Sequence, residues 1–515
     1  MTLISGRCYT LDIVASEDLH HFCGVAGLFS DQEKNIPRQL FFPLFSLQHR
    51  GQESAGIAYR KDGKTVAYKD LGMVSNVLSR YLSGDRMTRV GIGHVRYSTH
   101  GGNKLENAQP MVVTCNKGDI AIAHNGNISN ARQLKQELVD EGAIFQTSSD
   151  TELVLHLISR SRLRTFDEAL LETLSRLSGA FTMLLLHDDR LIAVRDPRGF
   201  RPLFVGSTEG TRVIASESCG LEILGCSQMR ELDPGEVLFL DVNGERSVNI
   251  AGEFVQPAQC VFELIYFARP DSRVFDNGVH AARGRMGAAL AQADTEAGLA
   301  GDIVVPVPDS GTSAAVGYAR EAGLPFDFGL TRNHYAGRSF IMPTTAEREL
   351  AVRMKLHPVD DVIRDKRIIL VDDSLVRGTT ARSLVRLLYR AGAREVHLRL
   401  SSPELRWPCF FGIDIPTRKE LISNRLDPEE IADYIGADSV RFLEIERLRG
   451  MLDRPDRYCY ACFTGAYPIN VPLTPEERMP QPRDRKEHGT HPINSTEPVT
   501  VPTAEPKTSA EGGER

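Results

Sequence analysis

The spacing of apolar positions changes near the middle of the chain. From position 23 to about 241 they come in short runs closed off by glycine, asparagine or aspartate, as in "RVGIGHVRYST", "DIAIAHNGNIS", "GAFTMLLLHDDRLIAVRD" and "RVIASES". Runs of that length with such ends predict strands. Between them, "SNARQLKQELVDEG" and "TELVLHLISRS" carry apolar residues every three or four positions, which predicts helices. The mixture implies sheets packed face to face with helices outside, an α+β layering. From about 261 to 448, "DIVVPVPDSG" and "RIILVDDSLVRGTTARSLVRLLYRAG" each read as a buried strand, a turn and a helix, the pattern of a parallel α/β sheet. Beyond 473 large apolar residues nearly vanish, and a disordered tail is expected over 474–515. The expected plan is a leader (1–22), a first domain (23–255), a second (256–473) and that tail.

Composition narrows the possibilities modestly. A formal net charge of −7 argues against a general binder of nucleic acid or anionic membranes. No apolar run approaches the roughly 20 residues that span a bilayer. The leader contains acidic residues and lacks a continuous apolar centre, so it is a poor secretory signal and a cytoplasmic location is expected. Nine cysteines scattered over 515 residues do not form the dense pattern of a disulfide scaffold.

The stretch "RIILVDDSLVRGTT" places Asp372 and Asp373 at the carboxyl end of a predicted parallel strand, where ligands of open α/β sheets bind. The loop from Ser374 to Thr380 supplies hydroxyls and backbone N–H groups ahead of a helix expected to begin near Ala381, a natural phosphate site. Adjacent carboxylates cannot hold phosphate themselves, but they suit ribose hydroxyls or a Mg²⁺ bridging to phosphates. It is not a Walker loop, because the glycine spacing and the lysine are missing. An ordinary strand-turn-helix with solvated acids stays open on composition alone. In the first half, Cys23 in "HHFCGVAGLFS" is either a packed thiol or a nucleophile behind a removable leader. "YCYACF" holds a C-x-x-C pair, Cys459 and Cys462, which by spacing alone fits zinc, a redox pair or coincidence.

These motifs resemble two known families. "VDDSLVRGTT" is similar to the phosphoribosyl-pyrophosphate (PRPP) motif of type I phosphoribosyltransferases. The resemblance implies that Asp372 and Asp373 hold ribose and metal, and that Ser374, Val376, Arg377, Gly378, Thr379 and Thr380 cradle the 5′-phosphate. "PVPDSG" resembles the family's pyrophosphate loop, with Ser310 near Mg²⁺. "TRNHYAGRSFIMP" resembles the loop that closes over PRPP and implies roles for Arg332, Tyr335 and Arg338 at the phosphates.

"QHRGQESAGIA", "GHVRYSTHG", "AHNGNISN" and "SSDTELV" resemble, in family order, the glutaminase domain of class II, N-terminal-nucleophile amidotransferases. The implied fold is an αββα sandwich. Cys23 would attack the glutamine side-chain amide, and its own α-amino group, with a pKa near 7.7–8.0, would serve as the base. While Phe22 is attached that nitrogen is an amide, so removal of the leader is chemically required. Asn125 and Gly126 would form the oxyanion hole, although Asn-Gly alone also marks tight turns. Arg96 would bind the substrate carboxylate and Asp150 its α-ammonium, although "SSDTE" alone reads as a helix N-cap.

The two domains in this order resemble the glutamine PRPP amidotransferases over roughly 23–469, which implies glutamine hydrolysis, ammonia transfer to PRPP and entry into purine synthesis. The resemblance further implies a [4Fe–4S] cluster on Cys260, Cys409, Cys459 and Cys462 (zinc also accepts four cysteines), Mg²⁺, inhibitory purine nucleotides and a homotetramer. Cys8, Cys115, Cys219 and Cys226 match no role. The sequence departs from the family in several places: His21 and Phe22 stand where acidic residues usually precede the nucleophile, Ala26 replaces an aromatic, Arg332 stands at a usual lysine, and the tail is extra. Other class II amidotransferases lack "VDDSLVRGTT", and a salvage phosphoribosyltransferase would leave the first 240 or so residues unexplained. A PRPP-sensing regulator would be favoured by loss of the nucleophile or of Asp372 and Asp373, and all three are present.

Overall fold

The structure is a computed structural model describing residues 23–97, 104–253, 255–333 and 354–484. Two sheets build the first half. One runs, in spatial order, Ser227–Glu231, Phe204–Thr208, Thr211–Ala215, Gly24–Lys34, Thr88–Arg96, Ser54–Lys61 and Lys64–Leu71. The other runs Gly244–Asn249, Glu236–Asp241, Arg190–Arg195, Gly179–His187, Gly118–Ile128 and Met111–Cys115. Their pairings are antiparallel, and side chains alternate between two buried faces. Val25 and Phe29 meet Ala121, Ala123, Leu184 and Leu191 between the sheets. Ala26 and Leu28 instead face Ile36, Leu40 and Leu44 of the helix Ile36–Ser46. Ile120, Ile122 and Leu185 pack outward on the helices Ala131–Asp140, Thr151–Arg160 and Phe166–Arg176. The result is the expected αββα sandwich.

The second half is a parallel sheet ordered Ile303–Pro306, Arg367–Asp372, Glu395–Leu400, Ser439–Phe442. The helices Val279–Glu296 and Thr312–Ala322 cover one face, Thr379–Arg390 and Pro428–Ile435 the other. One apolar cluster runs from Ala26, Leu28 and Leu44 through Phe262 and Leu264 to Val304, Tyr318 and Val371, so the halves share a core.

Two expectations change. The helix after the acidic strand begins at Thr379 rather than near Ala381, because Gly378 (φ 83°) takes the left-handed conformation that turns the loop directly into it. The tail expected to be disordered from 474 is built for its first eleven residues. Thr474 and Glu477 form a capping box on the short helix Pro475–Arg478. Asp484 pairs with Arg406 at 2.6 Å and with Arg418, whose guanidinium lies over Trp407. Charge pairs and a cap fasten this segment, and apolar periodicity does not report them. Residues 485–515, the leader 1–22, Tyr335 and Arg338 lie outside the described residues.

Candidate active sites and a four-cysteine cavity

Cys23 heads the strand Gly24–Lys34, with its Sγ 3.7 Å from the Tyr97 carbonyl. Antiparallel register sets Gly24 opposite Val95 and so carries Arg96, the last residue of its strand, to Cys23. The Arg96 side chain is buried, with Glu53 at 4.0 Å. Burial pushes the Cys23 thiol up to about 11, helped by Asp150 and Glu53 and opposed by the Tyr97 backbone and Arg96. A thiol raised in this way is protonated at pH 7, so a nucleophilic role for it would call for a base in contact with it.

Asn125 and Gly126 lie within the strand Gly118–Ile128 rather than in a turn. Gly126 has φ 147°, and a Cβ there would stand 2.0 Å from the Ala180 carbonyl oxygen, so only glycine fits. Asn125 is fully buried, yet neither its Nδ2 nor its Oδ1 has a hydrogen-bond partner. A buried amide in that state is rare and costly, as expected of a group shaped for a ligand. His94 Nε2 contacts the His124 carbonyl at 3.0 Å and steadies the residue before Asn125. Burial pushes the His94 imidazole down to about 3, so it is neutral. Asp150 holds the N-cap position of Thr151–Arg160, but its side chain makes no cap bond there. Its Oδ2 accepts instead from the Ile128 N–H at 2.9 Å, tying the acid to the Asn125–Gly126 strand.

At the second centre, Asp372 ends the central strand and Asp373 is buried beside it. Burial raises the Asp373 carboxyl, against hydrogen bonds from the Ser310 and Ser374 hydroxyls and the charge of Arg283. Ser310 thus reaches the acidic loop from the "PVPDSG" turn. Gly311 permits that approach, since a Cβ on it would sit 2.3 Å from the Val371 carbonyl oxygen. Val376 turns inward, so only its backbone remains for a ligand, and Arg377 pairs with Glu420 at 2.6 Å. Thr380 lies in the first helical turn, and the buried Thr379 hydroxyl has no protein hydrogen-bond partner, which suits it to a phosphate oxygen. Arg332 reaches Asp309 at 2.5 Å across the mouth. The donor set of two carboxylates plus substrate oxygens suits Mg²⁺, which is commonly held by one or two carboxylates and phosphates.

Between the halves, Cys260, Cys409, Cys459 and Cys462 line a single cavity walled by Phe200, Phe262, Phe411, Ile413 and Ala461. A two-residue parallel pairing sets Cys260 beside Cys459. Among the described residues no three metal-ligating side chains converge as around one ion. Four thiols around an apolar chamber are a donor set that suits an iron–sulfur cluster, and tetrahedral zinc also accepts four cysteines.

Sequence reading missed the charges that join the halves. Arg50 meets Glu217 and Glu263, Arg201 also meets Glu263, and all four side chains are fully buried. Burial acts to raise the Glu217 carboxyl, but Arg50 and His49 outweigh it and hold it well below the usual carboxylate range. "QHRGQ" contained the arginine, yet nothing in the sequence marked its distant partners.

A cysteine at the head of an αββα sandwich, joined through a shared core to a parallel sheet with a paired-acid loop, defines a glutamine amidotransferase fused to a phosphoribosyltransferase. Comparison with known proteins agrees. A glutamine amidotransferase domain matches residues 94–222 and a phosphoribosyl transferase domain matches 280–401. The chain is 44% identical to the Bacillus subtilis amidophosphoribosyltransferase over 459 residues, covering 88% of this chain and 95% of that one. It is equally 44% identical to the Methanocaldococcus jannaschii enzyme over 466 residues (87% and 98%) and to the chloroplastic amidophosphoribosyltransferase 3 of Arabidopsis thaliana over 470 (91% and 87%). The B. subtilis glutamine PRPP amidotransferase solved with ADP and GMP superposes with a TM-score of 0.80, covering 88% of this chain and 98% of that one. The chain belongs to the amidophosphoribosyltransferase family, enzymes of purine biosynthesis that use glutamine and PRPP to make 5-phosphoribosylamine, glutamate and pyrophosphate. Among the described residues no helix is long and apolar enough to cross a membrane.

Proposed function

We propose that Cys23 acts as the first residue of a processed chain. Its α-amine takes the thiol proton as sulfur attacks the glutamine side-chain carbonyl. The developing oxyanion is met by Asn125 Nδ2 and the Gly126 N–H, while Arg96 binds the substrate carboxylate and Asp150 its ammonium. The amine returns the proton to the departing nitrogen, releasing ammonia and leaving a thioester that water hydrolyses to glutamate. The observation that best supports this reading is the fully buried Asn125 amide with both polar atoms unpartnered.

Ammonia passes within the protein to C1 of PRPP and displaces pyrophosphate. Asp372 and Asp373 hold the ribose hydroxyls, and 374–380 with Thr379 bind the 5′-phosphate. Arg332, Tyr335 and Arg338 cover the pyrophosphate. Mg²⁺, held by Asp372, Asp373 and substrate oxygens near Ser310, would neutralise charge on the leaving group. The four cysteines hold a [4Fe–4S] cluster with a structural role. We further assign domain limits of 23–255 and 256–473, a cytoplasmic homotetramer and inhibition by purine nucleotides. The ADP and GMP bound to the B. subtilis relative are consistent with that last assignment.

Intact mass and two activities test this reading. The wild-type chain is expected to begin at Cys23 and to aminate PRPP with glutamine or ammonia, whereas Cys23→Ser should retain only the ammonia reaction. Active protein that still carries Phe22 would overturn the assignment of the base.

A further inference from the structure

The strand that carries Asn125 and Gly126 is tied to the wall of the four-cysteine cavity by one long-range hydrogen bond. Asn127 Nδ2 donates to the Phe410 carbonyl at 2.8 Å, across 283 residues of sequence. Phe410 stands between two residues that line the cavity, Cys409 and Phe411. The Phe411 N–H points to Cys409 Sγ at 3.4 Å, and its ring stacks on Phe200 with centroids 4.3 Å apart. On the other side, register sets Asn127 opposite Ala180, the residue whose carbonyl oxygen abuts Gly126. Ala180 packs in one cluster with Phe200, Phe411 and Ala461, which line the same cavity.

We propose that Asn127 is a positioning residue that fixes the oxyanion-hole backbone to the segment carrying Cys409, so that glutamine hydrolysis and the contents of the four-cysteine cavity are linked. This rests on reading Asn125 and Gly126 as the oxyanion hole and the four cysteines as cluster ligands. The physical reason is leverage. Gly126 is held against Ala180 with no room to spare, and an oxyanion hole works only while its donors face the developing charge. An amide that holds the next residue on a rigid, ligand-filled wall keeps the donors aimed. Misplacement by about 1 Å can cost on the order of 100-fold in rate.

The test uses the full chain, purified without oxygen. Asn127→Ala, and Asn127→Asp, which sets an acceptor against the Phe410 carbonyl, should lower kcat for glutamine hydrolysis by roughly 10- to 100-fold. KM for glutamine and the ammonia-dependent amination of PRPP should stay within about twofold. Unchanged kcat in both variants overturns the proposal. Asn125→Ala is the control, and if it too leaves hydrolysis unchanged, the oxyanion reading itself is lost.

A second measurement follows iron release. Alkylating Cys23 with a diazoketone analogue of glutamine, which places a carbonyl oxygen at the hole and so holds this strand in place, should slow iron release to a chelator in air. Asn127→Ala should abolish that protection. Iron release at the same rate with and without the label in the wild type overturns the link, as does equal protection in the variant.

Discussion

Arg50 and Glu263 meet at 2.5 Å with no part of either side chain exposed, and they bind the two halves of the enzyme at a point beside the nucleophile strand. A Cβ on Gly24, the residue after Cys23, would lie 3.5 Å from that of Arg50. Glu263 begins the segment Glu263–Phe267, which also supplies the Leu264 carbonyl to Arg283, 2.9 Å from its Nε. Arg283 in turn acts on Asp373. An ion pair, a short backbone segment, a hydrogen bond and the charge of Arg283 thus link the vicinity of Cys23 to that of Asp373.

Removing Arg50 takes a shared arginine from two buried carboxylates, leaving Glu217 to His49 and Glu263 to Arg201. Arg50→Met should cost about 3–5 kcal/mol, the usual penalty for breaking a buried pair by taking away one partner. Glu263→Gln, which keeps hydrogen-bonding capacity, should cost less. Denaturant midpoints of the purified variants check the order, and equal costs would mean that charge is not what matters there.

Gly126→Ala should abolish glutamine use while sparing the ammonia reaction. The added methyl has no room beside Ala180, and φ 147° disfavours any side chain. A loss of at least about 100-fold in glutamine-dependent kcat is expected, the size seen when an oxyanion donor is removed. Assays with glutamine and with ammonium salt, run side by side, decide it.

Asp372→Asn and Asp373→Asn should weaken both the glutamine- and the ammonia-dependent formation of phosphoribosylamine, because each needs PRPP held at the strand end. The paired acids also predict that a chelator strong enough to strip Mg²⁺ stops both reactions and that added Mg²⁺ restores them. Initial rates with and without chelator test this. Unaltered ammonia-dependent activity in both variants would move the PRPP site elsewhere.

Stability should fall on acidification, in part through His94. Its folded pKa, about 3, lies below the unfolded value near 6.5, so the unfolded chain binds the extra proton as pH drops. The contribution is complete above about pH 6.5 and is lost progressively down to about pH 3. His94→Gln, which keeps a donor for the His124 carbonyl, should flatten this part of the decline. Unfolding midpoints at pH 7.5 and pH 5 measure the slope.

Replacing Cys409 or Cys459 with serine should remove iron and sulfide together from protein purified without oxygen, with zinc not taking their place. Metal analysis and labile-sulfide determination report both. Stoichiometric zinc in the wild type would overturn the cluster assignment.

The sequence by itself determined the two halves and their chemistry. Short apolar runs closed by glycine, asparagine or aspartate pointed to sheets packed face to face before position 241, and buried strand-turn-helix runs pointed to a parallel sheet after it. Resemblance of local motifs put forward Cys23, Arg96, Asn125, Asp150, Asp372 and Asp373 as candidates, because chemistry of that kind needs particular residue types at close spacing. Tertiary structure alone decided what depends on distant partners. "HNGN" proved to be strand rather than turn because Gly126 lies against Ala180 on the neighbouring strand. Asp150 bonds Ile128 rather than capping its own helix. Four cysteines spread from 260 to 462 share one cavity, and Arg50 finds Glu263 some two hundred residues away. Residues 474–484 looked disordered because they are poor in apolar groups, yet Arg406 and Arg418 hold Asp484 in place. Periodicity records which face of an element is buried, but it carries no information about which far part of the chain a buried charge will meet.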